Sequence, residues 1–492
     1  MVKCMEHGSF FYMANDSLTK RTVNSSIWSI IDVVLRQGVG FVISVVLARL
    51  LSPTDYGTIG LLMIFITFSN VFVDSGFSSG LIRKIDRTQD DLSTAFIFNI
   101  IVAIVVYCLL FLSAPFIAIF FDNEQLIILL RVLGIVLIIN SLNLVQNAIL
   151  ISSMKVKQLA TVSAVSQILT GVIAIFLAYD GYGVWALVAQ QLCAAIIQAI
   201  LLCVTTKWHP TLVFAKSSFR YLWGYGSRLL CANLIGTLFG QAYSFIIGKY
   251  LGKRELGLYS RSDQFAQQPC GIVTNIISKA LVPSLANCQN DLERLRTNYV
   301  KCIEVISFVI FPLMILLSFV ARPLFLVLFG SKWIDAIPLF QMLCLGYAMD
   351  IFSNMSLQLI QVMGRTDYTL KLEIFKKPIY AVVIAISICW GLKGIVVGHA
   401  FYCFVAAMIN LSVIKTLLKY NYIKQVIDIF KYALMAVVVI APVSYVVSLI
   451  VSNNIIYLMI CTILSILFYL LLGMIFRVGV MTYMNTLLIK RK

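Results

Sequence analysis

Apolar runs of about 20 residues follow one another almost from end to end, each closed by a short polar turn. A helix of that length crosses a hydrocarbon core of about 30 Å. Read in order, the runs predict helices near 26–50, 56–81, 92–121, 125–150, 157–178 and 183–205. Six more follow near 220–248, 256–282, 297–320, 336–362, 368–390 and 394–414, and two last ones near 429–450 and 455–476. The pattern is that of an all-α polytopic membrane protein with about 14 transmembrane helices.

The polar turns repeat. Ala48-Arg49-Leu50-Leu51-Ser52-Pro53-Thr54-Asp55-Tyr56-Gly57 faces Gly248-Lys249-Tyr250-Leu251-Gly252-Lys253-Arg254-Glu255-Leu256-Gly257, sharing a base, a leucine, an acid and a glycine. At the same offset of about 200 residues, Gln89-Asp90-Asp91-Leu92 faces Gln289-Asn290-Asp291-Leu292. The chain then divides into a tail (1–25), an N-lobe of six helices (26–205), a basic linker with His209-Pro210 (206–218) and a C-lobe of six helices (219–418). Two unpaired helices (427–476) and a basic tail (477–492) complete it. Each lobe holds an even number of helices, so both insert the same way up, as a parallel repeat. That layout suits alternating access around a site between the lobes.

Composition agrees. Hydrophobic residues make up 61% and charged residues 12% of the 492, far from the balance of a soluble domain. The net charge of +17 does not call for nucleic acid. Most bases fall in alternate loops, such as Arg83, Lys84 and Arg87, then Lys155 and Lys157, then Lys207, Lys216 and Arg220. This is the distribution of a chain with both ends in the cytoplasm. The 12 cysteines form no C-x-x-C and mostly lie inside apolar runs, where they act as small hydrophobes. No metal ligand set and no cleavable signal peptide is expected.

The informative residues are charges at membrane depth, which are expensive in lipid and face a wet cavity or a partner. Asp32 and Arg36 share a face of the first helix. Arg36 reads as an anion ligand with Asp32 as counter-ion or coupling site, or the two as a structural ion pair. Arg228 reads as a second cavity cation or as a side chain reaching back to the interface. Arg261 lies in Tyr259-Ser260-Arg261-Ser262-Asp263-Gln264, ahead of Gln267, Gln268 and Pro269, a stretch too polar to face lipid. Asp263, Asp74, Glu304 and Asp350 are candidates for a coupling proton or Na⁺, or for pairing with nearby bases. His399 reads as a packing histidine. Asn140, Asn143 and Asn147 recur at i, i+3 and i+7, which serves either as glue between helices or as a surface for a sugar. Arg36 has no twin, because the offset sets Gly236 opposite it; the lobes share a scaffold but not a charge pattern.

No loop is large enough for a catalytic domain, and no H-E-x-x-H, G-x-x-x-x-G-K-[ST] or G-x-S-x-G is present. An enzyme is therefore not expected. With no ATP site and no cofactor, transport would draw on an H⁺ or Na⁺ gradient or run downhill.

The hinge Ala48–Gly57 resembles that of the Wzx-type polysaccharide flippases of the MOP (multidrug/oligosaccharidyl-lipid/polysaccharide) superfamily. So do Gly257-Leu258-Tyr259-Ser260-Arg261, Leu281–Asp291 and Leu328-Phe329-Gly330-Ser331-Lys332-Trp333, which are similar to the capsular and colanic-acid-type branch. The resemblance covers nearly the whole chain. It implies a MATE-like V of two bundles around a cationic cavity, in the bacterial inner membrane. The implied substrate is an undecaprenyl-pyrophosphate-linked oligosaccharide, moved to the periplasmic leaflet for exopolysaccharide, capsule or O-antigen assembly. The implied partners are membrane lipid, a polysaccharide polymerase and chain-length machinery. Arg36, Arg228 and Arg261 would supply the cations a pyrophosphate needs. A multidrug antiporter and a lipid II flippase of the same superfamily are the alternatives; the excess of arginine over acid argues against the first.

Overall fold

The computed structural model describes residues 38–286, 288 and 291–476. Asp32, Arg36 and the first half of the first expected helix lie outside the described residues. So do both tails. The chain divides by packing between Leu256 and Gly257. The first unit thus takes in the expected N-lobe and the first helix of the expected C-lobe.

The first unit holds α1 (Gly38–Leu50), α2 (Pro53–Asp74), α3 (Phe77–Arg83), α4 (Gln89–Phe120), α5 (Gln125–Ser152), α6 (Val156–Tyr179), α7 (Val184–Thr206) and α8 (Lys216–Tyr250). The hinge between α1 and α2 is a helix start. Ser52 Oγ accepts the Asp55 N–H at 3.3 Å, and the Asp55 carboxylate accepts the Ser52 N–H at 2.9 Å. Pro53 takes the first helical position, where its missing N–H costs nothing. Thr88 and Asp91 repeat the device at α4. Both oxygens of the buried Asp91 carboxylate also lie 2.7 Å from Lys84 Nζ. The linker before α8 is pinned to the same helix start. Trp208 Nε1 donates to Gln89 Oε1 at 2.7 Å, and the Thr211 and Ala215 amides donate to Ser93 Oγ and Thr94 Oγ1, each at 3.0 Å.

The expected helix 56–81 is broken. α2 ends at Asp74, Ser75 and Gly76 adopt left-handed φ of 47° and 72°, and α3 begins at Phe77. The reason lies on α8. A Cβ on Gly76 would stand 2.9 Å from the Gly226 Cα, and one on Gly226 would stand 2.5 Å from the Ser75 carbonyl oxygen. Two backbones touch here, with no room for a side chain on either. Around them α2 packs on α4, α5 and α8, α4 on α5, and α5 and α6 on α7.

The second unit holds α9 (Lys253–Ala286) from Gly257 on, α10 (Leu292–Phe319), α11 (Ala321–Leu328), α12 (Ile337–Val362), α13 (Thr366–Ser387), α14 (Gly391–Leu418), α15 (Tyr422–Ile450) and α16 (Asn454–Ile475). α12 packs on α10 and α14, α13 on α14, α10 on α15 and α15 on α16. Asp91 and Asp291, matched in sequence, both cap helices, but Asp291 is the N-cap of α10 itself and takes the Arg294 N–H at 3.1 Å. The Leu328–Trp333 motif is an anchor. Gly330, at φ 86°, ends α11 with its N–H on the Phe325 carbonyl, and a short 3₁₀ segment (Ser331–Ala336) buries Trp333 beside Phe329, which packs on Phe325.

Eleven stretches among the described residues are long and apolar enough to cross a membrane, and the one at Asp367–Leu418 holds both α13 and α14. Outward faces are apolar: Leu109, Leu112, Phe116 and Ile119 form an exposed stripe along α4. The protein is multi-pass in a membrane. Gly226→Ala should lower the thermal stability of the purified protein by about 1–3 kcal/mol through overpacking. Gly224→Ala, two residues away with nothing within 4 Å of its Cβ, should leave the melting curve unchanged.

Candidate functional site

Just beyond the Gly76–Gly226 crossing, the first unit opens into a cavity of about 590 Å³. Three helices line most of it at helical spacing. α2 contributes Thr67, Asn70 and Asp74; α5 contributes Asn140, Asn143 and Asn147; α8 contributes Ala232, Asn233, Gly236 and Thr237. Gln198 of α7 completes the polar wall. The i, i+3, i+7 pattern of α5 recurs on α2, so two polar stripes face each other. They touch once, where Asn140 Nδ2 donates to Asn70 Oδ1 at 3.4 Å. Asp74 Oδ1, Asn143 Oδ1 and Asn147 Oδ1 are buried acceptors with no protein partner among the described residues. Among the described residues no basic side chain lines the cavity. Arg228 is exposed on α8, one turn before Ala232 and on the same face, and pairs with no carboxylate among the described residues.

The remaining candidates lie in the second unit and mostly have protein partners. Arg261 is buried on α9; its Nη1 donates to Gln264 Oε1 at 2.6 Å and its guanidinium lies over the Phe265 ring. Asp263 does not turn to Arg261. Its Oδ1 accepts the Tyr347 hydroxyl of α12 at 2.6 Å, because residues two apart on a helix point away from each other. Tyr347 also meets the His399 ring edge-on at 5.6 Å. Asp350 Oδ2 accepts Asn354 Nδ2 at 2.8 Å. Glu304 of α10 is an ion-pair residue, with Lys431 of α15 at 2.8 Å and Asp428 closing the group at 3.0 Å from Lys431. Tyr420, between α14 and α15, donates to the same Asp428, and burial together with that carboxylate pushes its phenol above the ordinary value. Lys376 is buried and held by Glu373 of the same helix at 2.7 Å. Among the described residues no three His, Cys, Asp or Glu gather to hold a metal.

The structure therefore brings together Asp74 and the α5 asparagines, which the sequence reading held apart. It adds Thr67, Asn70, Gln198, Asn233 and Thr237, which that reading missed. The available signal was the spacing Thr67, Asn70, Asp74, the same as that of Asn140, Asn143, Asn147. Gly236, the residue opposite Arg36 in the repeat, turns out to line the cavity.

This architecture defines the class. A lipid II flippase, MurJ, in an inward closed conformation matches with a TM-score of 0.74 over 93% of this chain and 100% of that one, at 14% identity. An inward-facing multidrug resistance MATE family transporter of the MOP superfamily matches at 0.59 over 79% and 99%, at 17% identity. The fold is that of the MOP superfamily. Residues 46–338 match the family model described as polysaccharide biosynthesis protein, and the chain belongs to that family. Relatives include the succinoglycan biosynthesis transport protein ExoT of Rhizobium meliloti (strain 1021), 26% identical over 67% of each chain. Another is the lipopolysaccharide biosynthesis protein WzxC of Escherichia coli (strain K12), 23% identical over 84% of this chain and 85% of that one.

Tyr347→Phe should cost about 1–3 kcal/mol, the price of leaving the buried Asp263 oxygen without its donor. In a double-mutant cycle with Asp263→Leu the two losses should be clearly less than additive, read as melting temperature in detergent.

Proposed function

We propose that this protein is a flippase for undecaprenyl-pyrophosphate-linked oligosaccharide repeat units. It moves them from the cytoplasmic to the periplasmic leaflet of the bacterial inner membrane by alternating access. The observation that carries the reading is the family match over 46–338, in a chain with a transporter fold. ExoT is named for succinoglycan transport and WzxC for lipopolysaccharide biosynthesis, so a sugar polymer in the making is the common theme. A lipid-borne intermediate suits a protein whose outer faces are apolar and whose interior has a wet, polar cavity.

With the N-terminus in the cytoplasm, α2 and α5 both run inward, and Asp74 and Asn147 fall in their inner halves. On this reading the cavity lies toward the side where substrate is loaded. Arg36, Arg228 and Arg261 are the cations proposed to meet the pyrophosphate. An H⁺ or Na⁺ gradient would drive the cycle, with Asp263 and Asp74 as candidate coupling groups, and a polymerase and chain-length machinery would receive the product. The likeness to MurJ supports a second reading, a flippase for lipid II.

A strain lacking the gene, with no redundant flippase, should accumulate lipid-linked repeat units facing the cytoplasm. Arg228→Ala and Arg261→Ala should express normally yet restore less than about a tenth of export, since charge-assisted phosphate bonds contribute more than neutral ones. Normal periplasmic delivery in the deletion strain would sink the proposal. Rescue of peptidoglycan synthesis rather than polysaccharide export would favour lipid II.

A further inference from the structure

We infer that the cavity on α2, α5 and α8 is a subsite for uncharged sugar residues, separate from the cations proposed to meet the pyrophosphate. The inference rests on the flippase reading. Its argument is the donor and acceptor inventory. A carboxamide carries both a donor and an acceptor, whichever way it is turned, and so does a sugar hydroxyl. Asn70, Asn140, Asn143, Asn147, Asn233 and Gln198 line the space at about 590 Å³, within the range of small-molecule sites. Asn143 is only 4% exposed, yet its Oδ1 has no protein partner among the described residues. Buried acceptors of this kind are normally paired, so a ligand or water must supply the donor.

The same inventory excludes other occupants. An apolar guest would strip water from at least six amides and return no hydrogen bonds. Among the described residues an anion would meet no base on the wall and would face the Asp74 carboxylate. A neutral polyhydroxylated ring satisfies the amides and lets Asp74 accept from its hydroxyls. Charge-assisted bonds of that kind are stronger than neutral ones. Open space at Gly236, where an added Cβ meets nothing within 4 Å, leaves room on the α8 side.

The test uses the purified full-length protein in lipid nanodiscs and three probes. These are undecaprenyl pyrophosphate alone, the same lipid carrying a glucose disaccharide, and the same disaccharide with glucuronic acid as its outer sugar. The wild type should bind the neutral disaccharide lipid about tenfold or more tighter than the bare lipid, with the uronate lipid in between or weaker than bare. Asn147→Ala and Asn233→Ala, at the less buried rim, should lose that gain while keeping the affinity for the bare lipid. Gly236→Leu, which removes no polar group and adds bulk where nothing clashes, should do the same. If the wild type binds all three lipids alike, or if the three variants keep the full gain, the sugar subsite is overturned and the flippase reading stands. If the wild type binds none of the lipids, the flippase reading itself falls, and the subsite with it.

Discussion

The backbones of Gly76 and Gly226 meet where α8 crosses the break after α2. The rest of the first unit's interior follows from that contact. A side chain at either position would push α8 away from α2 and pull its Asn233–Thr237 face off the wall formed by α2 and α5. The crossing needs a helix end at this depth. A chain in lipid tolerates one only where the freed backbone groups are covered by protein. Ser75 supplies part of that cover, its hydroxyl donating to the Phe72 carbonyl. Phe77, Phe98, Phe219 and Trp223 stack just beyond and seal the junction.

Polar residues within the bundles divide into two kinds. Those in the second unit are mostly satisfied by one another: Asp263 by Tyr347, Lys376 by Glu373, Glu304 and Asp428 by Lys431. The pairs that join two helices, Asp263 with Tyr347 and Glu304 with Lys431, hold them together and fix their rotation, since breaking one leaves an uncompensated buried group. Around the first unit's cavity Asn140 and Asn70 pair with each other, but Asp74, Asn143 and Asn147 each keep a buried oxygen without a partner among the described residues. A membrane protein gains nothing in stability from three buried acceptors without partners, which is why the cavity reads as a place for ligand.

The same chemistry separates the two stretches that the sequence pattern matches at an offset of about 200 residues. Matched turns place an acid at equivalent helix starts, yet Asp91 sits inside a capping box bonded to Lys84, while Asp291 is itself the cap. The positional opposite of Arg36 is Gly236, a residue that opens space rather than adding charge.

The membrane class, most of the described helices, the hinge at Ser52–Asp55 and the asparagine stripe on α5 were legible in the sequence. Hydrophobic length, capping chemistry and helical spacing are local properties, and a local reading captures them. The break at Ser75-Gly76 was not legible, because glycine in an apolar run is common and only the arrival of Gly226 requires one there. Nor was the choice between glue and ligand surface for Asn140, Asn143 and Asn147. Spacing puts polar groups on one face of a helix, but whether that face meets a partner or a cavity depends on what packs opposite. The sequence by itself determined that apolar helices cross a membrane many times and which of their faces are polar. Only the tertiary structure decided which polar groups find each other and which remain open, because that depends on contacts between helices far apart in the chain.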